Sequence, residues 1–269
     1  EAYISVIHER PFSQALRRSF EIGLEFGLDW TLCLDADILL QANSLCSLVK
    51  LVENHPDTIL GGHGRVYDKF FGKRRYAGLH LYRTSLLTQA IKLIPEANIS
   101  LRPETFMKDA MVAKGHAWIQ FKEVIAIHDF EQYYRDIYRK MIVRANKAPE
   151  QIDHLMGRAL VNSPADPDFL VCLWGLRIGL GLAEPILLDA KQWDADFDTL
   201  LCAHGIEEKQ PLSQENLQVL SRKLLSGQIR KGSGHNRYSN LVDIPNKMLY
   251  RIGMLLEAAG FHFKSWSSQ

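Results

Sequence analysis

The chain has 269 residues and a mass of 30.7 kDa, with 46% hydrophobic and 23% charged residues. This is the composition of a globular protein able to bury a large core, either as one domain with a sizeable appendage or as two small domains. Lys plus Arg number 32 against 31 for Asp plus Glu, a balance that excludes a protein living by non-specific attraction to nucleic acid, although local basic patches remain.

Cys33, Cys46, Cys172 and Cys202 stand far apart with no CxxC pair. They read as reduced core thiols of a cytosolic protein, not as a disulfide framework or a zinc site. No basic leader opens the chain, and no stretch approaches the roughly 18 uninterrupted apolar residues of a membrane span. The expected location is therefore cytoplasmic. The apolar "FLVCLWGLRIGLGL" at 169–182 reads as a buried helix, or as an element that could touch the inner face of a membrane peripherally.

In chain order, residues 3–7 form a short β-rich run. Phe12, Leu16, Phe20 and Leu24 then recur at helical spacing. Residues 30–34 predict a strand that is apolar at nearly every position and so interior to a covered sheet. Asn43 or Ser44 can cap a helix to about Val52, and "NHPD" ends it. A brief strand at 58–60 meets "GGHG" at 61–64. The aromatic and basic segment 65–77 suits a loop over a ligand.

A strand at 78–82 and a helix at 85–93 follow. Thr105 can cap a helix carrying Phe106, Ala110 and Met111, which Gly115 stops. Residues 118–127 predict a strand that delivers His128 and Asp129 at its end, ahead of an amphipathic helix over 131–147. Alternating element types define an α/β domain over 1–148. The remainder, 149–269, is mainly helical, with candidates near 152–161, 169–182, 214–226 and 245–259 and a loop at 226–240.

The chemistry concentrates in "TLCLDADILL" at 31–40. Asp35 and Asp37 flank one alanine directly after an apolar strand. If the strand ends between them, one carboxylate can take a hard cation directly while the other reaches it through water or touches a sugar. A bare D-x-D is more often a helix cap or a surface turn. Arg74, Arg75, Arg135, Arg139 and Lys140 include plausible partners for diphosphate oxygens, because a guanidinium fork matches them. His63, Tyr67 and Trp118 could wall a sugar site, although a core role suits Trp118 better.

In this context the chain resembles the GT-A class of nucleotide-sugar-dependent glycosyltransferases, and within it the inverting family-2-like group. The resemblance runs in order through "YISVIHERPFSQALRRSFEIGLEFGLDWTLCLDADILL" at 3–40, "YAGLHLYRTSLL" at 76–87, "PETFMKDAMVAKG" at 103–115 and "AWIQFKEVIAIHD" at 117–129, about half the chain. It implies a GT-A-like mixed sheet flanked by helices, with a helical C-terminal region. Family-2-like enzymes open with two strands ahead of the one matching 3–7, and these are not visible here.

The resemblance further implies that Asp37 is the principal ligand of Mn²⁺ or Mg²⁺, that His128 is a further ligand, and that Asp35 lies at the metal or the ribose. The donor would be a nucleotide-diphosphate sugar, and the acceptor a hydroxyl of a glycan or related molecule. Inversion needs a base opposite the diphosphate. Asp109 and Glu104 are the candidates, and the residues leave the choice open. Two rival readings stand: a non-catalytic GT-A-like scaffold, and a metal-dependent nucleotidyltransferase. The second lacks a Gly-rich loop ahead of the acidic pair.

Overall fold

The computed structural model describes residues 2–97, 99–100, 102–130, 132–182 and 194–225. The chain forms two compact units. Of the described residues, the first holds those up to 130 and 212–225, and the second holds 132–182 and 194–211.

In the first unit the spacing of Leu16 and Phe20 produces α1 (Phe12–Phe26), which buries both and leaves Phe12 exposed. The strands are β1 (Trp30–Leu34), β2 (Ile38–Leu40), β3 (Gly61–Asp68), β4 (Lys73–Arg75), β5 (Leu79–Arg83) and β6 (Trp118–His128). They make one six-stranded mixed sheet in the order β1-β5-β3-β6-β2, with β4 paired to β3. Only β3 and β6 run parallel. Helices flank the sheet: α2 (Ser44–Glu53), α3 (Leu87–Ile91), α4 (Pro103–Ala113) and α9 (Gln214–Leu225).

Alternate strand positions feed two cores, as the period of a strand requires. Leu79 and Leu81 join Ile38, Leu48, Val52, Val66 and Ile125. Tyr82 joins Leu16, Phe20, Leu87, Met107 and Met111, with Cys33 and Trp118 at the margin. Each large apolar side chain buried in this way contributes roughly 1.5–3 kcal/mol.

One topological constraint sets the shape of the sheet. β1 and β2 are four intervals apart in the strand order, about 19 Å in a flat sheet at about 4.8 Å per strand. Residues 35–37 join them, and four Cα steps reach at most roughly 14 Å. The sheet must therefore curl along β3 and β6, whose register shifts between His63 and Arg65 and again between Arg65 and Val66. The "GGHG" run permits this close approach. A Cβ on Gly61 would lie 2.0 Å from the Leu81 carbonyl oxygen, and one on Gly64 would lie 2.7 Å from Ile125 Cδ1.

The second unit contains α5 (Tyr134–Lys147), α6 (Ile152–Asn162), α7 (Pro167–Leu180) and α8 (Asp194–Ala203). The sequence division at 148/149 differs from the division at 131/132 because α5 packs tightly on α7. There Gly175 and Gly179 lie against the Tyr138 and Ile142 carbonyls. α7 is buried on most sides and leaves Arg177 exposed, which makes it a core helix. Glu208 accepts the Tyr134 N–H at 2.6 Å and the Arg135 N–H at 3.2 Å, capping α5. No helix among the described residues is long and apolar enough to cross a membrane.

Several local expectations are corrected. Residues 3–7 are not a strand: no described strand pairs with them, Ile4 and Val6 are 94% and 74% exposed, and Tyr3 stacks on Phe26 at 4.5 Å. A strand needs a neighbouring strand to pair with, and among the described residues none lies beside this segment. Segment 65–77 is not a loop, since β3 runs on to Asp68 and β4 pairs back on it. α8 was not anticipated, although Asp194 precedes Phe197 and Leu201, both buried at helical spacing. Of the four cysteines only Cys172 is fully buried; Cys46 and Cys202 are exposed. The expected helix at 245–259 and the loop at 226–240 lie outside the described residues.

Candidate functional site

Asp35, Ala36 and Asp37 form the turn that bridges the curled sheet, and it is stapled on both sides. The Asp35 N–H donates to the Gly78 carbonyl at 2.8 Å, ahead of β5. The Asp129 N–H donates to the Asp37 carbonyl at 3.3 Å, just past β6. Gly78 sits at φ 63°, and a Cβ there would lie 2.8 Å from Asp35 Oδ2. The glycine thus leaves room for the carboxylate.

β2 pairs with the end of β6, so Ile38 lies opposite His128 and Asp37 falls beside the imidazole. His128 is buried, with Nε2 at 3.4 Å from Asp37 Oδ1. Its Nδ1 lies 2.9 Å from Asp68 Oδ2 and 3.1 Å from Asp129 Oδ2. Asp129 reaches back from a left-handed backbone, φ 69°, which Asp tolerates better than most residues.

Asp68 ends β3 as His128 ends the parallel β6, and the two are in register. The Phe71 N–H donates to Asp68 Oδ1 at 2.9 Å, and Arg75 donates to Oδ2 at 2.7 Å. Burial opposes ionisation of Asp68, but His128, Arg75 and the Phe71 N–H outweigh it and hold the carboxyl below its ordinary range.

Two overlapping groups could hold a metal ion: Asp35, Asp37 and His128, and Asp68, His128 and Asp129, each with ligand atoms within 4.8 Å of one another. The first fits better. Asp68 already accepts from Phe71 and Arg75, whereas Asp35 is exposed. In that arrangement Asp68 takes the Nδ1–H of His128 and turns the Nε2 lone pair toward Asp37, as carboxylates behind metal-binding histidines do.

The other candidate residues divide. Arg75 is committed to Asp68 and Arg74 is exposed on β4. Arg135 belongs to the second unit, where it pairs with Asp198. Asp109 is on the exposed side of α4, while Pro103, Met107 and Met111 form its buried face. Glu104 lies inward: Tyr82 Oη–H donates to its Oε1, and His80 Nδ1 is 2.8 Å from the same oxygen. Burial opposes its ionisation, but His80, Lys108 and Tyr82 prevail and pull it down to about 2.

Around this pair gather His63, Tyr76 and Trp118. His63 stacks on Tyr76 at 4.6 Å and meets Trp118 edge-on at 5.3 Å. It is 5% exposed, neither of its ring nitrogens has a hydrogen-bond partner among the described residues, and burial holds it neutral down to about 3. Tyr67 instead lies near Phe130, at 6.4 Å. Sequence reasoning missed Asp68 and His80. Each is recognisable only once strand register shows which residues share a strand end or a face.

Comparison with family profiles, with curated proteins and with solved structures gives no match.

Proposed function

We propose that the chain is a metal-dependent inverting glycosyltransferase with a GT-A-like, family-2-like first unit. It would move a sugar from a nucleotide-diphosphate sugar to a hydroxyl of a glycan or related acceptor. The observation that carries this reading is the convergence of Asp37 Oδ1 and His128 Nε2, 3.4 Å apart at a D-x-D turn, with Asp68 fixing the far side of the ring. The ordered run of resemblances supports it.

Asp37 and His128 would hold Mn²⁺ or Mg²⁺ with Asp35 beside them; the carboxylate oxygens suit either cation, and the imidazole nitrogen favours Mn²⁺ over the harder Mg²⁺. When bound, the cation supplies stabilisation of charge on a diphosphate leaving group. Asp68 orients His128, Arg75 anchors Asp68, and Gly78 leaves Asp35 its space. On the adjoining face His80, Glu104, Tyr76 and Trp118 offer a proton acceptor and ring surfaces for an acceptor sugar.

The nucleotidyltransferase alternative loses ground because "GGHG" is inside β3, flanked closely by β5 and β6, and not a phosphate loop. The test is thermal unfolding with Mn²⁺ and a panel of UDP, GDP and CMP, since a ligand of the folded state raises its stability. A nucleotide-dependent rise that requires metal and vanishes in D37N is the expected result. No rise with any of the three would leave the scaffold reading.

A further inference from the structure

We infer that His80, held by Glu104, is the group that takes the acceptor's proton, and that neither Glu104 nor Asp109 takes it directly. The inference rests on the transferase reading above. In that step the acceptor O–H gives its proton to His80 Nε2 as the oxygen bonds to the anomeric carbon. The bond from that carbon to the diphosphate breaks, and its electron pair leaves with the nucleotide. Glu104 then faces an imidazolium, which its charge stabilises.

Position comes first. His80 pairs with Cys33 across β5 and β1, and two residues before it the Gly78 carbonyl holds the Asp35 N–H. The imidazole is thus attached to the strand ends that carry the acidic turn.

Orientation comes next. Glu104 Oε1 lies 2.8 Å from His80 Nδ1, so the carboxylate keeps a proton on Nδ1 and leaves the Nε2 lone pair to accept another. Nε2 makes no hydrogen bond to any described residue, and the side chain is 11% exposed. The rings of His63 and Trp118 lie 5.2 and 5.7 Å from it; His63 is buried, and the partly exposed Trp118 offers the ring face against which an acceptor sugar can rest. This is the arrangement of a base oriented by a third group.

The carboxylates fit the task less well. Asp109 faces solvent on α4. Glu104 already accepts from Tyr82 and His80, with Lys108 nearby, and a carboxyl pulled down to about 2 is a weak base at neutral pH. Imidazole is the side chain whose ordinary titration lies nearest neutrality.

A bare structural ion pair would look the same, so the test needs a readout such a pair does not move. His80→Asn keeps a donor toward Glu104 and removes Nε2. UDP-glucose, UDP-N-acetylglucosamine and GDP-mannose are supplied with Mn²⁺ and alkyl glycosides, and released nucleotide is measured. H80N is expected to lose about 100-fold or more in turnover while its metal-dependent nucleotide shift persists. Added imidazole is expected to restore part of the turnover in H80A, which keeps the test decisive if H80N does not fold. Turnover of H80N within threefold of wild type overturns the role of His80 and leaves the transferase reading standing. Wild-type protein with neither nucleotide shift nor turnover removes that reading, and this inference with it.

Discussion

His128 faces Asp68 with one ring nitrogen and Asp37 with the other: Nδ1 is 2.9 Å from Asp68 Oδ2, and Nε2 is 3.4 Å from Asp37 Oδ1. In the proposed metal site the first contact would set the tautomer that makes the second useful to a cation. D37N and H128A are expected to abolish saturable Mn²⁺ binding in calorimetry. D68N, which leaves both ligands in place, is expected to weaken it by about 10–100-fold. Equal affinity in D68N and wild type would count against Asp68 as the orienting group.

Gly78 separates backbone strain from site disruption. At φ 63° any side chain is strained by about 1–2 kcal/mol, and a Cβ would also crowd Asp35 Oδ2 at 2.8 Å. Gly27 has the same φ, 64°, and nothing within 4 Å of its would-be Cβ. Urea unfolding should show both destabilised, G78A at least as much as G27A, because only Gly78 adds a close contact to the shared backbone strain. Mn²⁺ affinity should fall in G78A alone.

His63 predicts a pH dependence. It stays neutral in the folded protein down to about 3, chiefly through burial, while an unfolded histidine protonates near 6.5. Between those values the unfolded chain binds the extra proton, so this contribution to stability is complete above about 6.5 and is lost as pH falls. From pH 7.5 to 5.5 the loss is about 1 kcal/mol. H63F, which keeps the ring stack on Tyr76, is expected to remove that loss in urea titrations at the two pH values. Glu104 does not interfere, because its own loss falls between its ordinary 4.5 and about 2.

In the second unit two helical glycines should respond oppositely to alanine. Gly175 would place a Cβ 2.5 Å from the Tyr138 carbonyl oxygen and 2.7 Å from Met141 Cβ, whereas Gly157 has nothing within 4 Å. G157A is expected to stabilise by about 0.5–1 kcal/mol through helix propensity. G175A is expected to destabilise by about 1–3 kcal/mol through overpacking. Thermal melts of both variants decide it.

Much of the local structure was readable from the residues. The apolar spacing of Leu16 and Phe20 gives a helix, "WTLCL" a strand, and Gly115 a helix stop, because each depends on neighbours within one or two turns. The exceptions are instructive. Residues 3–7 have strand composition, but a strand also needs a partner edge. Arg75 has the chemistry of a phosphate ligand, yet a buried Asp68 claims it.

Taken by itself, the sequence determined that Asp35 and Asp37 follow one strand and that His128 ends another, since strand ends are set by short-range pattern and turn chemistry. Only the tertiary structure decided that these ends meet. A short link cannot join the two ends of the strand order unless the sheet curls, and that curl brings Asp37 to His128 and sets Asp68 behind it. It likewise decided that Glu104 faces His80 while Asp109 faces water, because the face of α4 that is buried depends on which strands it covers.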